Sequence, residues 1–154
     1  MNYIGLEPKK IDKTAKELNR LLANYQVYYQ NLRNYHWNIT GQHFFDLHIN
    51  FEDLYNEAKV NIDEIAERVL TLRKSPMSTL SEYLKTAEVK EYSTEDTHEM
   101  VESILSDHKK LISNMRDVLE VAGDANDEGT VDLVAGFLGS IEKKSWMLDA
   151  WSTK

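Results

Sequence analysis

The sequence predicts an all-α fold, a four-helix bundle with a short extra helix in the long connection between helices 2 and 3. Apolar residues recur at three- and four-residue spacing through four long segments, the period of one helix face. Only six glycines and two prolines punctuate the 154 residues, and they read as falling where breaks are wanted. No strand pattern, internal repeat or low-complexity tract competes with this reading.

The first helix runs from about Ile11 to Asn38, with Leu18, Leu22, Tyr25, Tyr29, Leu32 and His36 on one stripe. "NITG" ends it, where Gly41 is free to adopt the left-handed conformation that stops helices. The second runs from about His43 to Leu72 and is closed by "RKSP", since Pro76 cannot continue it. "STLSEYLK", Ser78 to Lys85, is the short connecting helix. The third begins at a cap formed by Ser93 and Thr94 and carries Val101, Ile104, His108, Leu111, Met115, Val118 and Ala122. Gly123 to Gly129 is an acidic loop. The fourth spans about Thr130 to Trp151, with Val134, Leu138, Ile141 and Leu148 as its stripe. The outer two connections are short, whereas about 20 residues join helices 2 and 3, enough to cross the bundle.

The chain reads as a single domain over residues 1–154, long enough to bury a core. Its 42% hydrophobic and 29% charged content excludes a disordered chain. No apolar run approaches the ~18 residues of a membrane span, so no membrane is expected. "MNYIGLEPKK" lacks the pattern of a signal peptide, which makes the cytoplasm the expected compartment. Cysteine is absent, so any metal would be held by His, Asp and Glu, a set suited to iron, manganese or zinc. The net charge of −8 disfavours nucleic acid and attracts cations. The one basic patch, Lys9, Lys10, Lys13 and Lys16, is interrupted by Asp12 and preceded by Glu7, and reads as the solvated start of a helix.

Three of the five histidines, His36, His43 and His48, fall within "YHWNITGQHFFDLHINFE" at the junction of the first two helices. On an ideal second helix His48 and Glu52 share a face, and so do Asp63 and Glu67. The eleven residues from Glu52 to Asp63 return to the same side after three turns. They also span about 16 Å of axis, far more than ligands of one ion tolerate. The two pairs are centred symmetrically about a point between Glu57 and Ala58. Two copies packed antiparallel on a two-fold axis there would bring His48 and Glu52 of one chain to Asp63 and Glu67 of the other, making two identical sites. His36, beside the turn, can add a further nitrogen. The bland alternatives are a solvated acidic helix face and a hydrogen-bonded core histidine.

The stretch "YHWNITGQHFFDLHINFEDLYNEAKVNIDEIAER" resembles the ferroxidase segment of the Dps family (DNA-binding proteins from starved cells), the mini-ferritins of the ferritin superfamily. The family pattern of two histidines and three acids falls on His36, His48, Glu52, Asp63 and Glu67. Looser similarity extends through "PMSTLSEYL" and "KKSWMLDAW". The resemblance implies a ferritin-like four-helix bundle assembled into a twelve-subunit shell, with ferroxidase sites shared across two-fold dimer interfaces. It implies that those five residues bind iron, that Fe(II) is oxidised by hydrogen peroxide or oxygen, that Fe(III) is stored as mineral, and that DNA is thereby protected. Trp37 resembles the family residue that traps stray oxidising equivalents, although packing at a dimer interface accounts for it equally.

Glu52 stands where many members carry Asp. The short, mixed-charge N-terminus differs from the Lys-rich tails of the DNA-binding members, so direct DNA binding is left open and is not favoured by the tails. Among Asp124, Asp127, Glu128 and Asp132, one or two suit the acidic iron entrance of such shells, with Asp132 the best single choice. His43 reads as first-turn surface, His108 as a satisfied core histidine, and Glu95 with His98 as capping and surface. Two other classes compete: a hemerythrin-like metal or oxygen carrier, which needs more helix-borne histidines than are present, and a non-enzymatic helical interaction bundle.

Overall fold

A computed structural model describes residues 3–153; the readings that touch Met1, Asn2 and Lys154 lie outside them. The described residues form five helices: α1 (Pro8–Asn38), α2 (Phe44–Thr71), α3 (Leu80–Thr86), α4 (Thr97–Asp124) and α5 (Glu128–Ser152). The fold class is as expected, and the boundaries move by a few residues for identifiable reasons. Pro8 occupies the first turn of α1, where its missing N–H costs nothing. Asp96, not Ser93 or Thr94, caps α4 by accepting from the Glu99 N–H at 2.9 Å. Asp127 caps α5 through the Thr130 N–H. Thr79 and Glu82 form a reciprocal capping box on α3.

Two helix ends differ from expectation in mechanism. α2 is stopped by Arg73 in the left-handed region (φ 64°), with Lys74 donating to the Val69 carbonyl and Arg73 to that of Leu70, before Pro76 is reached. Asn126 (φ 55°) ends α4 in the same way. Nor do all the glycines mark breaks, because Gly136 and Gly139 lie inside α5.

The expected stripes face the core. Every named apolar residue of the α4 and α5 stripes is buried, and on α1 only Tyr29 is half-buried, at the edge facing Tyr55. Partners reveal helix directions. Along α1, Tyr35, Tyr28 and Asn24 meet Ser103, His108 and Asn114, so α4 runs antiparallel to α1. His36 and Tyr25 meet His48 and Asn61, so α2 is antiparallel to α1 as well. α2 and α4 are therefore parallel, and the connection between them must traverse the bundle.

Asparagines on α1 hold that crossing in place. Asn19 bonds the Ser75 carbonyl and the Met77 N–H, Asn24 accepts from the Glu88 and Val89 N–H groups, and Asn31 bonds Lys90 and Tyr92. Asn34 donates to the Tyr92 carbonyl. The strap thus follows α1 for about 22 Å, and side-chain amides do for its backbone what a neighbouring strand would do.

Candidate metal centre

The last turn of α1 and the second turn of α2 carry the two central histidines, and each ring is fixed by the backbone of the other helix. His36 donates from Nδ1 to the His48 carbonyl at 2.7 Å, and His48 donates from Nδ1 to the His36 carbonyl at 2.8 Å. A carbonyl only accepts, so both neutral rings are protonated at Nδ1 and unprotonated at Nε2, the form in which imidazole binds a metal. The rings stack with centroids 3.8 Å apart. Phe44 stacks on the other side of His48 at 4.7 Å, and Tyr55 meets His36 edge-on at 5.2 Å. His36 is buried and His48 partly so.

Glu52 lies one turn beyond His48 and is half-buried; loss of solvation and then its charge raise the Tyr55 phenol above the usual range. Asp63 and Glu67 are exposed further along α2. Among the described residues no three His, Asp or Glu side chains converge to hold a metal within one chain. The five candidate residues thus lie in two groups, His36, His48 and Glu52 about the α1–α2 junction and Asp63 with Glu67 further along α2. Glu57 and Ala58 point into their own subunit: Ser140 donates to Glu57 at 2.6 Å, Lys144 pairs with it, and Ala58 is buried. At that level Asn56, Lys59 and Val60 face outward.

Several other readings meet the structure directly. His108 is a satisfied core histidine, 1% exposed, with Tyr28 on Nε2 and Ser145 on Nδ1, each at 2.8 Å. His43 sits at the N-terminus of α2 near Asp46, its ring against Trp151. His98 also packs on Trp151, and Glu95 is exposed. Lys9, Lys10, Lys13 and Lys16 are exposed. Trp37 is 62% exposed with the Arg33 guanidinium over its ring.

Asp127 must be removed from the candidate entrance acids. It is 2% exposed and committed to Arg68 at 2.6 Å and to the Thr130 hydroxyl at 2.6 Å. Asp124, Glu128 and Asp132 remain exposed. Tyr55 and Arg33 were absent from the sequence reading. Tyr55 follows Glu52 by three residues, a signal that was present. The Arg33 contacts depend on tertiary placement.

Comparisons with known proteins agree on one lineage. The family model for ferritin-like domains matches residues 15–154. A "DNA protection during starvation protein" from Porphyromonas gingivalis is 45% identical over 160 residues, covering 100% of this chain and 98% of the relative. General stress protein 20U of Bacillus subtilis is 39% identical over 91% of this chain and 97% of its own. Among solved structures, the Dps protein of Vibrio cholerae O1, described as a ferritin-like diiron-carboxylate protein, superposes with a TM-score of 0.96 at 45% identity, covering 99% and 97% of the two chains. With a domain match over almost its whole length and relatives this similar, the chain belongs to the Dps branch of the ferritin-like family.

Proposed function

We propose that the protein is an iron-oxidising and iron-storing shell that shields DNA by removing Fe(II) and peroxide together. Iron is its substrate and cargo. His36, His48 and Glu52 of one subunit bind it with Asp63 and Glu67 of a two-fold partner, and twelve subunits enclose the ferric product. The reaction takes two electrons from two ferrous ions and delivers them to one hydrogen peroxide, giving water without hydroxyl radical. The single observation that carries the reading is the reciprocal Nδ1-to-carbonyl pair, which presents two unprotonated Nε2 atoms one turn from a carboxylate. A structural histidine has no need of that arrangement twice.

A second feature supports the two-fold placement. The centre that pairs His48 with Glu67 and Glu52 with Asp63 also pairs Phe45 with Leu70, which are 79% and 55% exposed in the single chain. Burying such side chains against each other favours association by roughly 25 cal/mol per Å² of apolar surface. The acidic Asp132 and Glu128 at the start of α5 serve as an entry point for cations, and the exposed N-terminal lysines, few and interrupted, leave direct DNA binding outside the proposal.

The test is an anaerobic ferrous titration of the protein with hydrogen peroxide, following ferric absorbance and residual peroxide. Rapid oxidation at about one peroxide per two irons, with a soluble ferric product, is expected. Oxidation no faster than in buffer would leave a helical interaction bundle as the better account.

A further inference from the structure

Four of the eight tyrosines lie on α1, and one of them is placed for chemistry that the iron site does not use. Tyr28 is 3% exposed, and its hydroxyl lies 2.8 Å from His108 Nε2. The direction of that bond follows from the next one. Ser145 spends its own proton on the Ile141 carbonyl at 2.7 Å, so it accepts from His108 Nδ1–H. His108 Nε2 is therefore the unprotonated nitrogen, and Tyr28 donates to it.

A phenol at neutral pH loses an electron readily only if its proton can leave at the same moment, because the cation radical of a phenol is a strong acid. A buried tyrosine without a base is a poor electron donor. Tyr25 only accepts, from Asn61, and Tyr35 shares its hydroxyl with Ser103. Among the described residues Tyr28 alone has its phenol on an imidazole nitrogen. Burial holds His108 down at about 3, so its Nε2 stays vacant at every physiological pH. Burial first, then Tyr25 and the Asp107 charge, raise the Tyr28 phenol well above its usual range, so it holds its proton until an electron leaves.

Two groups of aromatic rings lie between this pair and the histidine site. His36 meets Tyr55 at 5.2 Å and Tyr55 meets Tyr29 at 6.0 Å. Tyr25 lies one helical turn from Tyr29 and meets Tyr28 at 5.9 Å.

We propose that Tyr28 and His108 form a reversible, proton-coupled one-electron sink inside the bundle. A strong one-electron oxidant, the hydroxyl radical formed when a lone ferrous ion meets peroxide, takes an electron from the aromatic rings and leaves as hydroxide. Tyr28 becomes the neutral phenoxyl radical as its hydroxyl proton passes to His108 Nε2. A further ferrous ion returns the electron, becoming ferric, and the proton goes back to Tyr28. The sink rests on the proposed iron chemistry only for the source of its oxidant.

The test uses iron-free protein and a photoexcited ruthenium tris-bipyridine complex with a sacrificial acceptor, read by freeze-quench electron paramagnetic resonance. The expected result is a long-lived tyrosyl signal carrying one strong coupling, from the His108 proton, that disappears in D2O. Tyr28→Phe, which removes only the hydroxyl, loses that signal, and His108→Gln, which accepts a hydrogen bond but not a proton, loses it too. An unchanged signal in Tyr28→Phe, or no exchangeable coupling in the unmodified protein, overturns the proposal; the second reading decides the matter even if His108→Gln fails to fold. A photochemical radical retained in a protein that fails to oxidise iron would refute the iron reading and leave the sink standing.

Discussion

If the metal site is shared across a two-fold axis, two inactive variants must rescue each other. His48→Ala removes a ligand from one half of the set, and Asp63→Ala removes one from the other half. Each homogeneous protein then carries the same lesion in every site. In a mixed dimer, one site joins the damaged histidine half to the damaged acid half, while the other joins two intact halves. With equal amounts and random pairing, about half the dimers are mixed and each holds one intact site in two, so about a quarter of all sites recover. The assay is the initial rate of Fe(II) oxidation by peroxide after the two proteins are unfolded together and refolded, against the same proteins refolded apart. The axial separation of about 16 Å between Glu52 and Asp63 rules out a site within one chain on a straight helix. Co-refolded protein no more active than the separate variants, with mixed dimers demonstrated by mass spectrometry, would refute the shared site.

Three further perturbations test the fold that positions it. Asp107 is pushed up to about 6, chiefly by burial and against the Asn31 hydrogen bond. Its folded value exceeds its unfolded one, so stability is lost as pH rises from about 4 to 6; Asp107→Asn should therefore stabilise the protein at pH 7 by up to about 3 kcal/mol, read as a higher melting temperature. His108 has the opposite sign, its folded value being depressed to about 3, so stability is lost as pH falls below 6.5. In the unmodified chain the two slopes oppose each other between about pH 4 and 6, whereas Asp107→Asn should lose about 1.4 kcal/mol per pH unit there. A melting temperature as flat in the variant as in the parent contradicts both assignments. Gly129→Ala places a Cβ 2.8 Å from Arg68 Nη2, so the guanidinium must shift while paired to the buried Asp127; a loss of up to about 3 kcal/mol is expected by thermal melting, and an unchanged or raised melting temperature would contradict a pinned Arg68. Asn24→Ala orphans the Glu88 and Val89 N–H groups and the Asn114 amide, so residues 75–92 should exchange amide hydrogens faster than the four long helices; uniform protection across the chain would contradict the strap.

The helices and their buried faces were legible because a 3.6-residue period is a local property: each residue of the α4 stripe is set by its neighbours three and four places away. Four of the five candidate ligands, His48, Glu52, Asp63 and Glu67, were proposed from the same period, since a helix converts spacing into direction and distance; His36, on the preceding helix, was added from its place beside the turn and from the family resemblance. That one straight helix cannot close a site from both pairs is likewise arithmetic on the helical rise. What the sequence left open depends on groups 12 to 97 residues away. Nothing about Arg73 as a residue type marks it as the left-handed stop of α2, which is seen only in its backbone angle and in the bonds that close the helix end. Asp127 read as a loop acid until Arg68, 59 residues earlier, drew it inward. The tautomers of His36 and His48 follow from backbone carbonyls that only the closed hairpin brings within reach. Sequence determined which side chains share a face, and tertiary structure decided which of them are spent on partners and which remain for chemistry, because a hydrogen bond is fixed by proximity in space and not along the chain.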